Sequence, residues 1–334
     1  MNEQPSDSPQ NVNRPAAPAG AFGLGLPCPL VLAPLAELTH APFRMLVREL
    51  GGCDLFCTEM LSAAALVRGN PRDSIFLIRD PAETNLVYQL MGAEPAVMGD
   101  AAAVLESMGA GWLDLNMGCS APLIKGRGQG VALMREPDRA GTIAAEVRRR
   151  FGGHLSVKIR LGWADETDRL PRFCRTLRAA GVQTLTVHAR FQHEKFKGRA
   201  RWEWLPRIRD WFGGPVVGNG DVFLPADAGR LRQAGGSDGI MIGRGAAIRP
   251  WLFRDIAGPP GPAPRPEALL LRLTGLLRHY LPPERHLSRL KIFLYWFKQS
   301  LPFGHTLWAR VQATATLEQA EERIREFFTQ SPEG

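Results

Sequence analysis

Residues 111–130 read GWLDLNMGCSAPLIKGRGQG, an apolar run followed by a glycine-rich, basic loop. The run at 112–115 predicts a short buried strand that stops abruptly at Asn116. Cys119 lies where this strand ends. Free cysteine is among the most buried residue types, so Cys119 is at this point either a small core residue or a reactive thiol. The rest of the sequence is needed to choose between these two roles of Cys119.

Seven further apolar runs resemble the one at 112–118, and segments with helical spacing, such as 138–150 and 170–180, separate most of them. Gly181 follows the second of these segments, where a helix C-cap is expected. The eight runs are PLVLAPL (29–35), DLFCTEM (54–60), NLVYQLM (85–91), WLDLNMG (112–118), LSVKIRLG (155–162), TLTVHAR (184–190), PVVGNGD (215–221) and GIMIGRGA (239–246). Eight repeats of strand and helix predict an α/β fold, a (β/α)8 TIM barrel.

A doubly wound open sheet is the main alternative to the barrel, but the turn after the first strand lacks the GxGxxG fingerprint. A barrel would bring the carboxyl ends of all its strands to one rim, where barrel enzymes hold their catalytic groups. Seven of the eight strands end on polar or special residues: Glu59, Gln89, Asn116 with Cys119, Lys158 with Arg160, His188 with Arg190, Asn219 with Asp221, and Gly243 with Arg244. A thiol at that rim, with an amide beside it, is a candidate acid or nucleophile.

The composition changes near residue 256. Residues 257–267 (AGPPGPAPRPE) are too rich in proline for a helix or a central strand and predict a linker. Residues 268–334 place apolar side chains three and four positions apart and predict a small, all-helical C-terminal domain. Its basic side chains form either an RNA-binding surface or a solvated face: Arg272, Arg278, Arg285, Arg289, Lys291 and Lys298. Residues 1–26 predict a disordered tail, which leaves 27–256 for the barrel.

Charge and cysteine content narrow the functional classes. The chain of 334 residues has 41 Lys and Arg against 33 Asp and Glu, a net charge of +8 that is compatible with a polyanionic partner. Its five cysteines lack the paired spacings of a zinc site, so we expect free thiols, a cytoplasmic location and no metal. Because no uncharged apolar run reaches about 18 residues, no membrane span is expected. We expect a monomer.

The last two strands indicate a phosphate site. In GIMIGRGA the strand GIMI is followed directly by Gly243 and Arg244. Together with VVGNGD, this turn supplies two adjacent loops whose backbone can approach a phosphate. Lys158 lies on an otherwise apolar strand, where a buried ammonium needs an anion or an acceptor such as Asp114 or Asp221. His188 is either a satisfied core histidine or part of the rim chemistry. Glu59 belongs either to a polar cluster or to an ion pair with an arginine.

Several motifs, in this order, closely resemble the tRNA-dihydrouridine synthases, from about Leu30 to the C-terminal helices. The motifs are PLVLAPLAELTHAPFR, YQLMG, LDLNMGCS, VKIRLGW, TVHAR, VVGNGD and GIMIGRGAAIRPWLF. RLGW and RLKIFLYWFKQ look most similar to the bacterial C-type branch, which suggests a target uridine in the first part of the D-loop. Ser120 departs from the proline usual after the family's cysteine, Leu35 from the usual methionine, and Phe191 from the usual threonine.

The resemblance implies a flavin barrel followed by a helical tRNA-binding domain. FMN, reduced by NADPH, would pass hydride to C6 of a uracil in the tRNA D-loop, and Cys119 would be the general acid that delivers a proton to C5. Asn116 and Arg190 match positions expected near the uracil. The implied FMN contacts are Pro34, Leu35, Ala36, Gln89, Lys158, His188, Asn219, Gly220, Asp221, Gly243 and Arg244.

Two other functions stay open from the sequence. A flavin barrel could reduce a free pyrimidine, as a dihydroorotate or dihydropyrimidine dehydrogenase does, although such an enzyme has no need of a basic C-terminal surface. The departures at Ser120 and Phe191 are also compatible with a catalytically silent tRNA-binding module. Formation of dihydrouridine distinguishes these alternatives from a synthase.

Overall fold

Eight parallel strands close into a barrel in chain order, β1 to β8, in a computed structural model that describes residues 20–69 and 75–330. The strands are β1 Leu30–Leu32, β2 Leu55–Ser62, β3 Leu86–Met91, β4 Trp112–Met117, β5 His154–Ile159, β6 Thr184–His188, β7 Val216–Asn219 and β8 Gly239–Ile242. Each lies on one of the eight predicted runs. The (β/α)8 prediction is confirmed, and the open sheet is excluded because β1 pairs with β8.

The helices follow the strands and cover the outside of the barrel. Through residue 257 they are α1 Ala41–Leu50, α2 Ala63–Val67, α3 Pro95–Ser107, α4 Pro122–Gly126, α5 Pro137–Arg150, α6 Leu170–Ala179, α7 Leu205–Phe212, α8 Pro225–Ala234, α9 Arg244–Ile248 and α10 Leu252–Ala257. Many start with a proline in the first turn, where the missing N–H costs nothing. The helices expected at 138–150 and 170–180 are α5 and α6, and Gly181 has the positive φ (+88°) expected after α6.

The amino-terminal face of the barrel is sealed by residues that the sequence assigned to the tail. Phe22 is fully buried against the inner side chains of β1, β2, β3, β7 and β8. Its N–H donates to Thr184 Oγ1 (3.0 Å), and its carbonyl accepts from Trp112 Nε1 (2.9 Å). The expected disordered tail therefore should end before Ala21, because Ala21 and Phe22 bury their side chains. The proline and glycine around them had favoured disorder up to residue 26. The remainder of that prediction, 1–19, lies outside the described residues.

Four helices occupy 266–330, where a helical segment is predicted: α11 Pro266–Tyr280, α12 Pro283–Phe297, α13 Gly304–Gln312 and α14 Leu317–Gln330. The non-helical stretch between α10 and α11 matches the predicted proline-rich linker to within two residues. Helix α11 packs on α1, and α12 packs on α9. Because the buried side chains of these helices share one continuous core with the barrel, their status as a separate domain stays a prediction. No helix of the described residues is long and apolar enough to span a membrane.

One buried contact joins α12 to the first loop of the barrel. Arg289 is 4% exposed, and its guanidinium lies 3.9 Å from the Glu59 carboxylate of β2 and 3.8 Å from Glu37. The Glu37 N–H also donates to Glu59. The structure places Glu59 within ion-pair distance of Arg289, and the bond from the Glu37 N–H ties the loop between β1 and α1 to β2.

Candidate active site

A cavity of about 430 Å³ opens at the carboxyl ends of the strands, a volume within the range of small-molecule sites. Twelve of the fourteen residues predicted for the site line this cavity: Pro34, Leu35, Ala36, Asn116, Cys119, Lys158, His188, Asn219, Gly220, Asp221, Gly243 and Arg244. The inference that strand ends meet at one rim is therefore confirmed. The role of each residue stays a prediction.

Gln89 and Arg190 are the two predicted site residues that do not line the cavity. Gln89 is fully buried beneath it and uses its amide on Asp114 and Asn116. Arg190 is 1% exposed and donates to both oxygens of Asp221, each at 2.6 Å. These two side chains contact residues of the cavity wall, and the ligand contacts expected of them stay a prediction.

The turn that holds Cys119 is built on the Asn116 side chain. Asn116 Oδ1 accepts from the N–H of Gly118 (3.3 Å) and of Cys119 (3.0 Å), which bends the chain sharply at the end of β4. The Cys119 carbonyl then accepts from the Val131 N–H, and the intervening loop is closed there. Gly130 has a φ of +59°, and a Cβ at this position would lie 2.6 Å from the Cys119 carbonyl oxygen. Cys119 is half-buried and lines the cavity, so it is not a core residue.

Lys158 places a positive charge inside the barrel without a carboxylate partner. Its Nζ donates to Asn219 Oδ1 at 3.0 Å, and within the described residues it forms no ion pair with Asp114 or Asp221, the partners considered from the sequence. Burial and the nearby Arg160 guanidinium lower the pKa of Lys158 to about 8, although Asp114 acts in the opposite direction. An anion bound in the cavity would relieve this cost.

His188 is held neutral beside this charge. Burial, and then Lys158 and the neighbouring guanidinium groups, shift the pKa of His188 well below its usual value. A guanidinium N–H of Arg190 lies 3.2 Å from His188 Nε2 and donates to it, which leaves the single ring proton on Nδ1. His188 is therefore a neutral hydrogen-bonding group in the cavity wall and is not a source of further positive charge.

Arg160 is a site residue to which the sequence assigned no role. It lines the cavity, donates from Nε to the Gly118 carbonyl (3.1 Å) and donates from Nη1 to the Lys195 carbonyl (3.0 Å). Burial and the nearby Arg190 lower the pKa of Arg160 to about 10. The signal was present in the sequence, because residues two apart on a strand share a face and Lys158 is expected to face the ligand.

Phe196 was missed altogether, because it lies in a loop without regular spacing. It is 58% exposed at the cavity wall, and the guanidinium groups of Arg244 and Arg160 lie 4.8 Å and 5.8 Å from its ring centre. Such distances are typical of cation–π contacts.

The cavity has an excess of positive charge. Among the described residues that line it, the basic side chains Lys158, Arg160, Lys195 and Arg244 face a single carboxylate, Asp221. That carboxylate is already engaged by Arg190, by Arg244 at 3.3 Å and by the Ala200 N–H at 2.6 Å. The two loops predicted to cradle a phosphate lie side by side in this wall. The site is therefore suited to an anionic ligand, and no group of three or more possible metal ligands occurs in the described segments.

We predict that Lys158→Met stabilises the ligand-free protein at pH 7 by about 1–3 kcal/mol, since it removes a half-buried charge that has no carboxylate partner. The amine is protonated up to about pH 10 in the unfolded chain but only up to about pH 8 in the folded protein. The unfolded state thus binds more protons between these values, and wild-type stability rises with pH there. The advantage of the variant is fully present below pH 8 and shrinks from pH 8 to pH 10.

Urea unfolding at several pH values measures this difference. The matched control is Lys125→Met, at an exposed position of α4, which is expected to change the unfolding free energy by less than about 0.5 kcal/mol. A Lys158→Met protein that is less stable than wild type at pH 7, with no pH dependence of the difference, contradicts the assignment of an uncompensated charge.

The fold and the cavity define a (β/α)8 barrel with a basic cavity and a thiol at its rim. A protein-family model described as "Dihydrouridine synthase (Dus)" matches residues 31–330. The chain belongs to this family and is therefore an oxidoreductase.

Named relatives cover most of the chain. A probable tRNA-dihydrouridine synthase of Rickettsia prowazekii is 31% identical over 90% of this chain and 94% of its own length. The tRNA-dihydrouridine synthase B of Pseudomonas aeruginosa is 29% identical, covering 91% of this chain and 94% of its own. The corresponding B enzyme of Escherichia coli is 30% identical, covering 81% and 86%. The family prediction is confirmed, but the expected similarity to the C-type branch finds no support in these B-type relatives.

Two solved structures share the barrel fold at low sequence identity. Histamine dehydrogenase from Rhizobium sp. 4-9 superimposes with a TM-score of 0.52 at 13% identity, over 68% of this chain and 45% of its own. Morphinone reductase superimposes with a TM-score of 0.50 at 11% identity, over 75% of this chain and 93% of its own. At these identities the likeness concerns the fold alone.

Proposed function

We propose that the protein is an FMN-dependent tRNA-dihydrouridine synthase that reduces the C5–C6 double bond of a D-loop uridine, with NADPH as the reductant. The observation on which this depends is that a half-buried thiol, Cys119, lines the same cavity as the unpaired ammonium of Lys158. Family membership and the tRNA substrates in the names of the relatives support the same reaction. A tRNA substrate and five free thiols also support a cytoplasmic location.

The residues of the cavity fit a phosphorylated flavin. Lys158 and Arg244 would hold the anionic parts of the cofactor, and the glycine-rich backbone at Gly220 and Gly243 leaves room for its close approach. The excess of basic side chains over carboxylates explains why a phosphate is expected at this wall. FMN, when bound and reduced, supplies the hydride that C6 of the uracil receives.

Cys119 would donate the proton that C5 of the uracil requires. A thiol is suited to this task because it can lose and regain a proton near neutral pH. The Asn116 turn fixes the backbone on which the thiol is carried, and Arg160 holds the same turn through the Gly118 carbonyl. Ser120 and Pro122 also line the cavity, so the departure from the family's usual proline lies directly beside the proposed acid.

The tRNA would be bound chiefly around the mouth of the cavity. Two loops that contribute to the cavity wall, 118–130 and 190–201, present five exposed basic side chains, which we call the basic rim: Lys125, Arg127, Lys195, Lys197 and Arg199. Phosphate contacts of this kind position a nucleic acid, while the pocket recognises the base. The target uridine must leave its stack to reach the cavity, at a cost of a few kcal/mol.

The basic residues of the C-terminal helices are less available than the sequence suggested. Arg272 pairs with Glu49, Arg278 with Glu318 and Glu321, and Lys291 donates to the carbonyls of Gln312 and Thr314. Arg289 is buried, and the Lys298 ammonium lies between the rings of Tyr295 and Trp308. Arg272, Arg278 and Arg285 are exposed, and of these three Arg285 is in none of the ion pairs of the described residues, so it is the best placed to meet a phosphate. The basic rim therefore has priority as the tRNA-binding surface, with α11–α14 as a second contact.

We predict that Cys119→Ala lowers the rate of uridine reduction by about a hundredfold to ten-thousandfold, the range expected when a general acid is removed. The assay incubates the purified protein with NADPH and tRNA lacking dihydrouridine, and mass spectrometry then locates a gain of two hydrogen atoms in D-loop fragments. Cys28→Ala is the matched control, because Cys28 is a half-buried thiol that precedes β1 at the opposite end of the barrel. It is expected to react at the wild-type rate.

Two outcomes of this assay would contradict the proposal. A wild-type protein that binds flavin and tRNA but leaves every uridine unchanged would be a binding module, or a reductase of free pyrimidines if it reduces uracil instead. Removal of α11–α14 is unsuitable for separating these functions, because those helices share the core of the barrel. Equal rates for wild type and Cys119→Ala would remove Cys119 from the role of acid.

We predict that the double variant Lys195→Ala, Lys197→Ala weakens tRNA binding and makes it less sensitive to salt. The slope of log K against log salt should fall by about one for each phosphate that the variant no longer binds. Filter binding between low and moderate salt measures both effects. Arg232→Ala is the control, since Arg232 is exposed in the last turn of α8, at the amino-terminal face of the barrel. An unchanged slope in the double variant would show that the basic rim does not bind tRNA.

A further inference from the structure

Four polar side chains form a continuous chain of hydrogen bonds from the barrel interior to the cavity wall. Ser156 Oγ donates to Asp114 Oδ1 (2.6 Å), and Gln89 Nε2 donates to Asp114 Oδ2 (2.7 Å). Asn116 Nδ2 donates to Gln89 Oε1 (2.9 Å), and Asn116 Oδ1 accepts from the Cys119 N–H (3.0 Å). All four side chains are buried, so the chain joins the barrel interior to the cysteine turn.

The direction of every bond in this chain follows from the carboxylate at its lower end. An ionised carboxylate only accepts hydrogen bonds, so the Gln89 amide must turn its NH2 group towards Asp114. The Gln89 oxygen then faces Asn116, whose NH2 group turns towards it. The Asn116 oxygen is thereby left to accept from the backbone of Gly118 and Cys119. If either amide were reversed, two donors or two acceptors would face each other without solvent.

We infer that Asp114 is a positioning residue for Cys119, which it controls through the orientation of the Gln89 and Asn116 amides. Asp114 touches neither the cavity nor the thiol, and its effect is to hold the Asn116 turn in the conformation that presents Cys119 to the cavity. The importance of this effect for catalysis rests on the proposed function, whereas the control of the turn itself does not.

The cost of burying this carboxylate supports a specific role. Burial raises the pKa of Asp114 to about 6, even though the hydrogen bonds from Ser156 and Gln89 and the charge of Lys158 favour the ionised form. If Asp114 contributed to packing alone, an apolar side chain could replace it with little or no loss of folding stability. At this position an apolar side chain would leave the Gln89 NH2 group without its acceptor and free to turn over.

The test compares Asp114→Leu with Asp114→Asn in the full-length protein. The amide side chain that Asp114→Asn introduces can still accept from Gln89, and its NH2 group can donate to Ser156 Oγ, which can donate to the Leu113 carbonyl 3.3 Å away. Asp114→Asn therefore preserves the amide orientations without the charge, whereas Asp114→Leu abolishes them. The first readout is the rate at which iodoacetamide alkylates Cys119, followed by mass spectrometry of the peptide that contains it.

We expect Asp114→Leu to change the alkylation rate of Cys119 several-fold, most directly as an increase from a loosened turn, with Cys28 unaffected. Turnover on tRNA should fall about a hundredfold, the order expected for a misplacement of 1 Å, while the KM for tRNA stays near the wild-type value. Asp114→Asn should restore the wild-type alkylation rate and most of the turnover. Should Asp114→Leu fail to fold, Gln89→Met interrupts the same chain of bonds and is expected to have the same effects.

An alkylation rate at Cys119 that is the same in wild type, Asp114→Leu and Gln89→Met overturns the inference. So does an Asp114→Asn protein that behaves like Asp114→Leu, because the charge and not the amide orientation would then be responsible. A wild-type protein that does not reduce tRNA would contradict the proposed function only, since the alkylation rates report on the turn in any case.

Discussion

The ammonium of Lys158 is the feature around which the site is arranged. It lies within the barrel, and its hydrogen bond goes to a neutral amide oxygen, that of Asn219. Arg160, Arg190 and Arg244 surround the same cavity wall, and the nearest lining carboxylate, Asp221, is already engaged by two of them. A cavity of this kind is costly to maintain without a ligand, and a bound anion would repay the cost. The proposal of a phosphorylated ligand therefore rests on the protein's own charge distribution.

The thiol side of the cavity is neutral, and the structure connects it to the charged side at one residue. Asn116 lies near the end of β4 and Cys119 follows it. The basic lining side chains come from elsewhere: Lys158 from β5, Arg160 directly after it, Lys195 from the loop after β6 and Arg244 from the start of α9. Arg160 donates to the Gly118 carbonyl on one side and to the Lys195 carbonyl on the other. Arg160 therefore joins the turn that holds the thiol to the basic loop after β6.

The sequence was sufficient for the barrel because each strand is a short apolar run that ends on a polar residue. Cys119, Lys158 and Asn219 could be placed at the cavity for the same reason. The sequence could not show that Gln89 and Arg190 lie behind the residues that line the cavity, because their partners, Asp114 for Gln89 and Asp221 for Arg190, are far away in the chain. The burial of Phe22 could not be predicted, because it depends on closure of the barrel. The ion pairs of the C-terminal arginines could not be predicted, because their acidic partners, Glu49 for Arg272 and Glu318 for Arg278, lie on other helices.

The claim that this cavity is built for a phosphorylated flavin is tested most directly by comparing the binding of FMN and riboflavin to the flavin-free protein by calorimetry. The two ligands share the ring system and differ in the phosphate. The account predicts that FMN binds at least about tenfold more tightly, since one charge-assisted hydrogen bond contributes about 1.5–3 kcal/mol. Equal affinities for the two ligands, or no binding of either, would contradict it.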